Sequence, residues 1–156
     1  MNPLPTTSKE HYITGRSALN VPNPDGTFAD WHFANVFLSG KGKIRIAGKE
    51  IASTSAVLGD YGIRECSDVL RAYGAYIPEN EPVFSANHIR AILDLALSSA
   101  QQGRAPEHVT VHDMLDSNED IQELAEKTQQ VLGTVSDSVT HSLIYTWAQK
   151  HSLLLS

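Results

Sequence analysis

Ala29-Asp-Trp-His-Phe-Ala-Asn-Val-Phe-Leu38 holds one of the two tryptophans and two of the four phenylalanines in the 156-residue chain, and its conformation decides what the fold is built around. With a period of two, Trp31, Phe33, Asn35 and Phe37 fall on one side, and Asp30, His32, Ala34, Val36 and Leu38 on the other. Both sides are largely apolar, the pattern of a strand covered on both faces. The stretch is therefore expected to be the first long strand, with Trp31 in the core and Asp30 and His32 sharing a face.

Upstream, Asn20-Val-Pro-Asn-Pro-Asp-Gly-Thr27 carries two prolines and an Asp-Gly step, which specify a stiff, turn-rich loop delivering the chain to Asp30. His11 to Ala18 reads as a short extended segment, and residues 1–10, with two prolines and mostly polar side chains, as a loose arm. Downstream, the turn Ser39-Gly-Lys-Gly42 leads into Lys43-Ile-Arg-Ile46, which alternates. Lys41, Lys43 and Arg45 face one way and Ile44 and Ile46 the other, so a half-buried strand antiparallel to the first is expected. Its basic ladder could hold an anion or blunt a strand edge.

From Ile63 the spacing becomes helical. Ile63, Cys66, Val69, Leu70 and Tyr73 recur at three and four, with Gly74 after them, and Cys66 falls on the buried stripe. Ala75 to Val83 is an extended connection. Ser85 is a candidate cap for a helix with Ile89, Ile92, Leu93, Ala96 and Leu97 inward and Gly103 at its end. His108 to His112 alternates, which suits a short strand or a helix start, and residues 105–117 are left open between the two. Ser117 or Asn118 caps a helix with Ile121, Leu124, Thr128, Val131 and Leu132 on one side, and Ser136 caps a last one with Val139, Leu143, Ile144 and Trp147 inward. Strands first and helices after give an α+β fold: one domain over residues 1–156, with a small antiparallel sheet in the N-terminal half and about four C-terminal helices.

Composition narrows the function classes. A single cysteine cannot form an intrachain disulfide and suits a reducing cytosol. No apolar run approaches the roughly 18 residues of a membrane span, and the N-terminus has no basic region followed by an apolar one. The net charge of -6 is concentrated at the C-terminal end, where residues 104–156 carry three bases against eight acids. Asp113, Asp116, Glu119, Asp120, Glu123 and Glu126 come with no base among them, a face for a basic partner or a solvated helix surface. Nucleic acid is disfavoured as a direct ligand, since the basic group near Lys43 has no interleaved aromatics and the last helices are not basic. Among combinations that include the seven histidines, Asp30-x-His32 with His108-x-x-x-His112-Asp113 is the strongest candidate to hold a divalent transition metal, at a spacing of low specificity. No Gly-x-Ser-x-Gly elbow or phosphate loop is present.

Ala18-Leu-Asn-x-Pro22 with the following Asp-Gly, Asp30-Trp-His-Phe33 and Gly59-Asp-Tyr-Gly-Ile63 together resemble a group of small bacterial proteins from toxin-antitoxin or mobile-element settings, over residues 12–73. The resemblance implies a cytosolic bacterial protein that binds another protein, and carries no catalytic residue with it. Two expectations follow. The first is a cytoplasmic interaction or regulatory protein, antitoxin-like and without a cofactor, that binds a basic protein through Asp113, Asp116, Glu119, Asp120 and Glu123; self-association stays open. The second is a small metal-dependent hydrolase, with Asp30, His32, His108 and His112 as ligands and Lys41, Lys43 and Arg45 holding an anionic phosphoester.

Overall fold

The computed structural model describes residues 4–39 and 42–154. In chain order the elements are α1 (Gly15–Leu19), a π-helical turn (Ala34–Leu38), α2 (Ser55–Leu58), β1 (Ile63–Glu65), α3 (Ser67–Ala72), β2 (Phe84–Ala86), α4 (His88–Gln101), α5 (Val111–Met114), α6 (Asn118–Thr134) and α7 (Ser138–Lys150). The class is α+β, with a two-stranded antiparallel sheet preceding the long helices. β1 and β2 pair in the register Ile63 with Ala86, Arg64 with Ser85 and Glu65 with Phe84. Ile13 adds single bridges to Ser85 and to Ile46, tying the N-terminal segments to β2.

Everything is arranged about α4. Its sequence is apolar nearly all round, and every residue from His88 to Ala100 is buried, as such a pattern requires. Asn87 caps it by accepting from the Arg90 N–H at 2.8 Å. Packed against α4 are α1, α6, α7 and β2, and one hydrophobic cluster runs from Tyr12 to Leu153.

Two charges, Arg90 and Asp94, lie one turn apart on this helix, and both are 0% exposed. Asp94 accepts from the Tyr12 and Thr14 hydroxyls at 2.7 Å each, and from the Thr54 N–H and hydroxyl at 2.9 and 2.8 Å. Arg90 donates Nε to the Tyr12 hydroxyl at 3.0 Å, Nη1 to the carbonyls of Gly59 and Tyr61 at 2.5 and 2.7 Å, and Nη2 to Ser55 Oγ at 2.6 Å. The Tyr12 hydroxyl thus stands between the two charges. Burial and the neighbouring Asp94 charge push it up to about 12. Burial also pushes the Asp94 carboxyl up, against the hydroxyl hydrogen bonds that pull it down.

Several expectations are corrected. Ala29–Leu38 is not a strand: the Ser39 N–H reaches back five residues to the Ala34 carbonyl at 2.8 Å, and the Val36 N–H four residues to His32 at 3.0 Å. With helical spacing, Phe37 is buried and Phe33 half-buried, while Trp31 is 82% exposed. The segment from Lys43 does not pair with it; Ile46 bridges Ile13 instead. Ile63–Glu65 is strand rather than the first helical turn, because its partner is β2, in a stretch expected to be extended up to Val83 and then helical. Ser85 lies in β2, so the α4 cap falls to Asn87; on α7 the cap is Asp137, which accepts from the Thr140 N–H at 2.8 Å. Val139 is 57% exposed, and Thr140, Ile144, Trp147 and Ala148 face inward. The arm is held in part: Thr7 Oγ1 accepts from the Phe84 N–H at 2.9 Å.

Two substitutions test this architecture in thermal unfolding. Asp94→Asn sets amide donors against the Thr54 N–H and uncouples the buried charges, and is expected to cost at least about 3 kcal/mol. Trp31→Ala is expected to stay within about 0.5 kcal/mol of the parent; a large loss there would restore the central-strand arrangement.

Candidate functional site

The acidic run folds into one wall of a cleft. Ser117 caps α6 by accepting from the Asp120 N–H at 3.1 Å, which fixes where Glu119 and Asp120 leave the first turn. The positive end of the helix dipole favours acids there, so those two have a structural reason to be present. Asp116, before the cap, and Glu123, a turn further on, do not share it. Opposite them stands the loop Asn23–Thr27, with the α4 entry Asn87–Ile89 as the floor.

That loop is as stiff as its prolines suggest. The Asn23 N–H bonds the Thr27 carbonyl at 2.9 Å and the Gly26 N–H bonds the Asn23 carbonyl at 2.8 Å. Gly26 has φ +88°, open to glycine at little cost. Asp25 Oδ1 accepts from the Thr27 hydroxyl at 2.7 Å and its N–H at 3.0 Å, and these bonds hold the carboxyl below its ordinary range. Five carboxylates therefore face one space of about 520 Å³: Asp25, Asp116, Glu119, Asp120 and Glu123. Among the described residues no lysine or arginine lines it. At the far end the Tyr61 hydroxyl donates to Glu123 at 2.5 Å, and Lys127 lies over the Tyr61 ring at 4.3 Å.

His88, 5% exposed, joins the cleft floor to the loop. One ring nitrogen, Nε2, lies 2.7 Å from the Val21 carbonyl and so donates to it; the other, Nδ1, accepts from the Asn23 side chain at 3.4 Å. Both nitrogens are used by a neutral imidazole, and burial holds its pKa below the ordinary value, with the Val21 carbonyl opposing and Arg64 reinforcing.

The metal set is not assembled. Asp30 accepts from Asn20 Nδ2 at 3.1 Å and lines a shallow cleft with His32, Arg16 and Asn35. His108 lies in another cleft with Glu107, Arg104 and Ser99, its carbonyl taking a bond from Arg16 at 3.3 Å. His112 is beside His151, ring centroids 6.2 Å apart. Among the described residues no three His, Cys, Asp or Glu side chains gather as a metal ion needs. Of the basic ladder, Lys41 lies outside the described residues. The backbones of Lys43 and Arg45 bond Ser17 Oγ, at 3.2 and 2.8 Å. The two charges face Glu50, whose carboxyl is held low first by the Ile46 N–H and then by these bases. Asp113 is exposed on α5 and is not among the residues lining the acidic cleft. Cys66 is 3% exposed, and burial pushes its thiol up to about 12, which makes it a core residue rather than a nucleophile. Asp25, Asn87 and His88 were not singled out by motif or periodicity; the Pro-Asp-Gly turn chemistry was the only local signal near them.

No helix among the described residues is long and apolar enough to cross a membrane. No protein-family model, curated protein or solved structure matches the chain.

The neutral His88 sets a pH dependence. A folded-state pKa below 6.5 means that between that lowered value and 6.5 the unfolded chain binds more protons, so stability is present above 6.5 and is lost as pH falls from there through the folded-state value. His108 and His151, also held low by burial, add with the same sign. Urea unfolding from pH 7.5 to 5 is expected to show the decline, with a shallower slope in His88→Gln; an unchanged slope would remove His88 as its main source.

Proposed function

We propose that this chain is a cytoplasmic protein-interaction or regulatory protein, antitoxin-like in its setting, and that it holds a basic protein partner in the cleft between α6 and the Asn23–Thr27 loop. The observation that carries this reading is the convergence of five carboxylates from two distant parts of the sequence on a cleft that, among the described residues, no lysine or arginine lines. Like charges placed together repel, and a cationic partner relieves that repulsion while steering its own approach. The resemblance over residues 12–73 points to protein binding as well, and the buried thiol of Cys66 fits a reducing compartment.

The test is calorimetric titration with an octa-arginine peptide at about 50 and 200 mM salt, where screening weakens exposed charge pairs. Asp116→Asn, Glu119→Gln and Asp120→Asn together are expected to reduce affinity at least about tenfold, while Glu79→Gln with Glu81→Gln, exposed and away from the cleft, leaves it unchanged. Equal losses in the two variants would reduce the interaction to diffuse charge, and absence of binding to the parent would sink the reading.

A further inference from the structure

The cleft does not end in polar surface. Phe28 lines it, and the Phe28 ring packs edge-on against Tyr73 and Phe33, at centroid distances of 5.3 and 5.9 Å. Phe33 in turn packs against Tyr73 and Phe37, at 5.7 and 5.2 Å. Leu38 borders the same group through Gly74, where an added Cβ would meet Leu38 Cδ2 at 3.7 Å. Beneath lies buried Phe37, while Phe28, Leu38 and Tyr73 are 37%, 39% and 41% exposed. Single exposed apolar residues are ordinary on a protein surface, but Phe28 and Tyr73 in ring contact, with Leu38 beside Gly74, form a shelf.

We infer that cleft and shelf are one docking surface, and that its occupant is an amphipathic segment of a basic protein. A cationic side chain enters the cleft and an apolar neighbour on the same segment covers Phe28, Tyr73 and Leu38. The inference rests on the proposed binding of a basic partner and adds what that partner must carry besides charge. Charge complementarity assigns the cleft end: arginine suits it best, because its planar fork pairs with two carboxylates at once. Continuity through Phe28 assigns the other end, since whatever neutralises the cleft is brought against the shelf. Water driven off the shelf then contributes an affinity that salt does not screen, and aromatic rings at the edge of a charged pocket are the usual anchors of such contacts.

The experiment compares two peptide probes of equal length and charge, one of arginines spaced by serines and one of arginines spaced by leucines at helical intervals. Each is titrated into the full chain and into Leu38→Lys and Tyr73→Ser, with folding checked by circular dichroism and melting temperature. The parent is expected to bind the leucine-containing probe at least about tenfold more tightly. Either shelf variant should lose that advantage while binding the serine-spaced probe as before, or, for Leu38→Lys, a little more weakly through its added charge. If both probes bind the parent equally, or the advantage survives in both folded shelf variants, the shelf is no part of the surface and the acidic cleft stands alone. If neither probe binds, the basic-partner reading falls and this inference with it.

Discussion

The Tyr12 hydroxyl, placed between the Arg90 guanidinium and the Asp94 carboxylate, is the contact on which the rest of the arrangement depends. Charges on a helix that is buried all round would be costly if left unpaired, and their pairing determines what must surround the helix. Asp94 draws in Thr14 and Thr54; Arg90 draws in Ser55 and the carbonyls of Gly59 and Tyr61. Those groups belong to chain segments from residue 12 to residue 61 that have little regular structure of their own. Short elements such as α1, α2 and β1 cannot persist alone, since a single helical turn or a three-residue strand forms too few bonds to repay its ordering. Tyr12 and Thr14 just before α1, Thr54 and Ser55 at the start of α2, and Gly59 and Tyr61 just before β1 fix these elements in place by bonding the two buried charges.

The C-terminal helices were legible in the sequence because each carries its own signals. α6 has Ser117 as cap, acids in its first turn and an apolar stripe through Leu124, Thr128 and Val131, all settled within one stretch of chain. On α4 the apolar stripe was legible but Arg90 and Asp94 were not, since a charged residue on an apolar helix reads as solvent-facing until its distant partners are seen. Ala29–Leu38 shows the converse. Its aromatics satisfy a period of two and also the four-residue step from Phe33 to Phe37, so periodicity alone could not choose. Tertiary contacts chose: the His32 N–H bonds Asn20 Oδ1 at 2.7 Å, and Ile13, bridged to Ser85 of β2, also takes the bridge to Ile46.

Half of the cleft was visible in advance. The acids of α6 stand out as a run with no base, and four of the five residues singled out from it line the cleft. Asp113 does not, because α5 is a single turn that ends before Leu115 and sends its side chain elsewhere. Asp25 and His88 come from parts of the chain about 30 to 90 residues earlier, and only the folded α4 brings them opposite Asp120. The histidine spacing misled for a related reason: Asp30 and His32 do line one cleft, but His108 lies in another and His112 beside His151, and spacing within a segment does not say where a distant segment packs.

The two sets of charges explain each other's positions. Arg90 and Asp94 are buried with their hydrogen bonds taken up by the protein, which leaves neither of them free for a ligand. The carboxylates of Asp25, Asp116, Glu119 and Asp120 sit where α4 emerges, on a capped helix start and a hydrogen-bonded turn. Asp25 helps to close its own turn and the helix dipole favours Glu119 and Asp120, but neither arrangement supplies a cation to offset their mutual repulsion. Acids required for folding would be neutralised by the fold itself, as Glu50 is by the Ile46 N–H with Lys43 and Arg45 nearby. Asp116, Glu119 and Asp120, gathered around an open space with no lysine or arginine among its described lining residues, lower their energy when a cation arrives from outside.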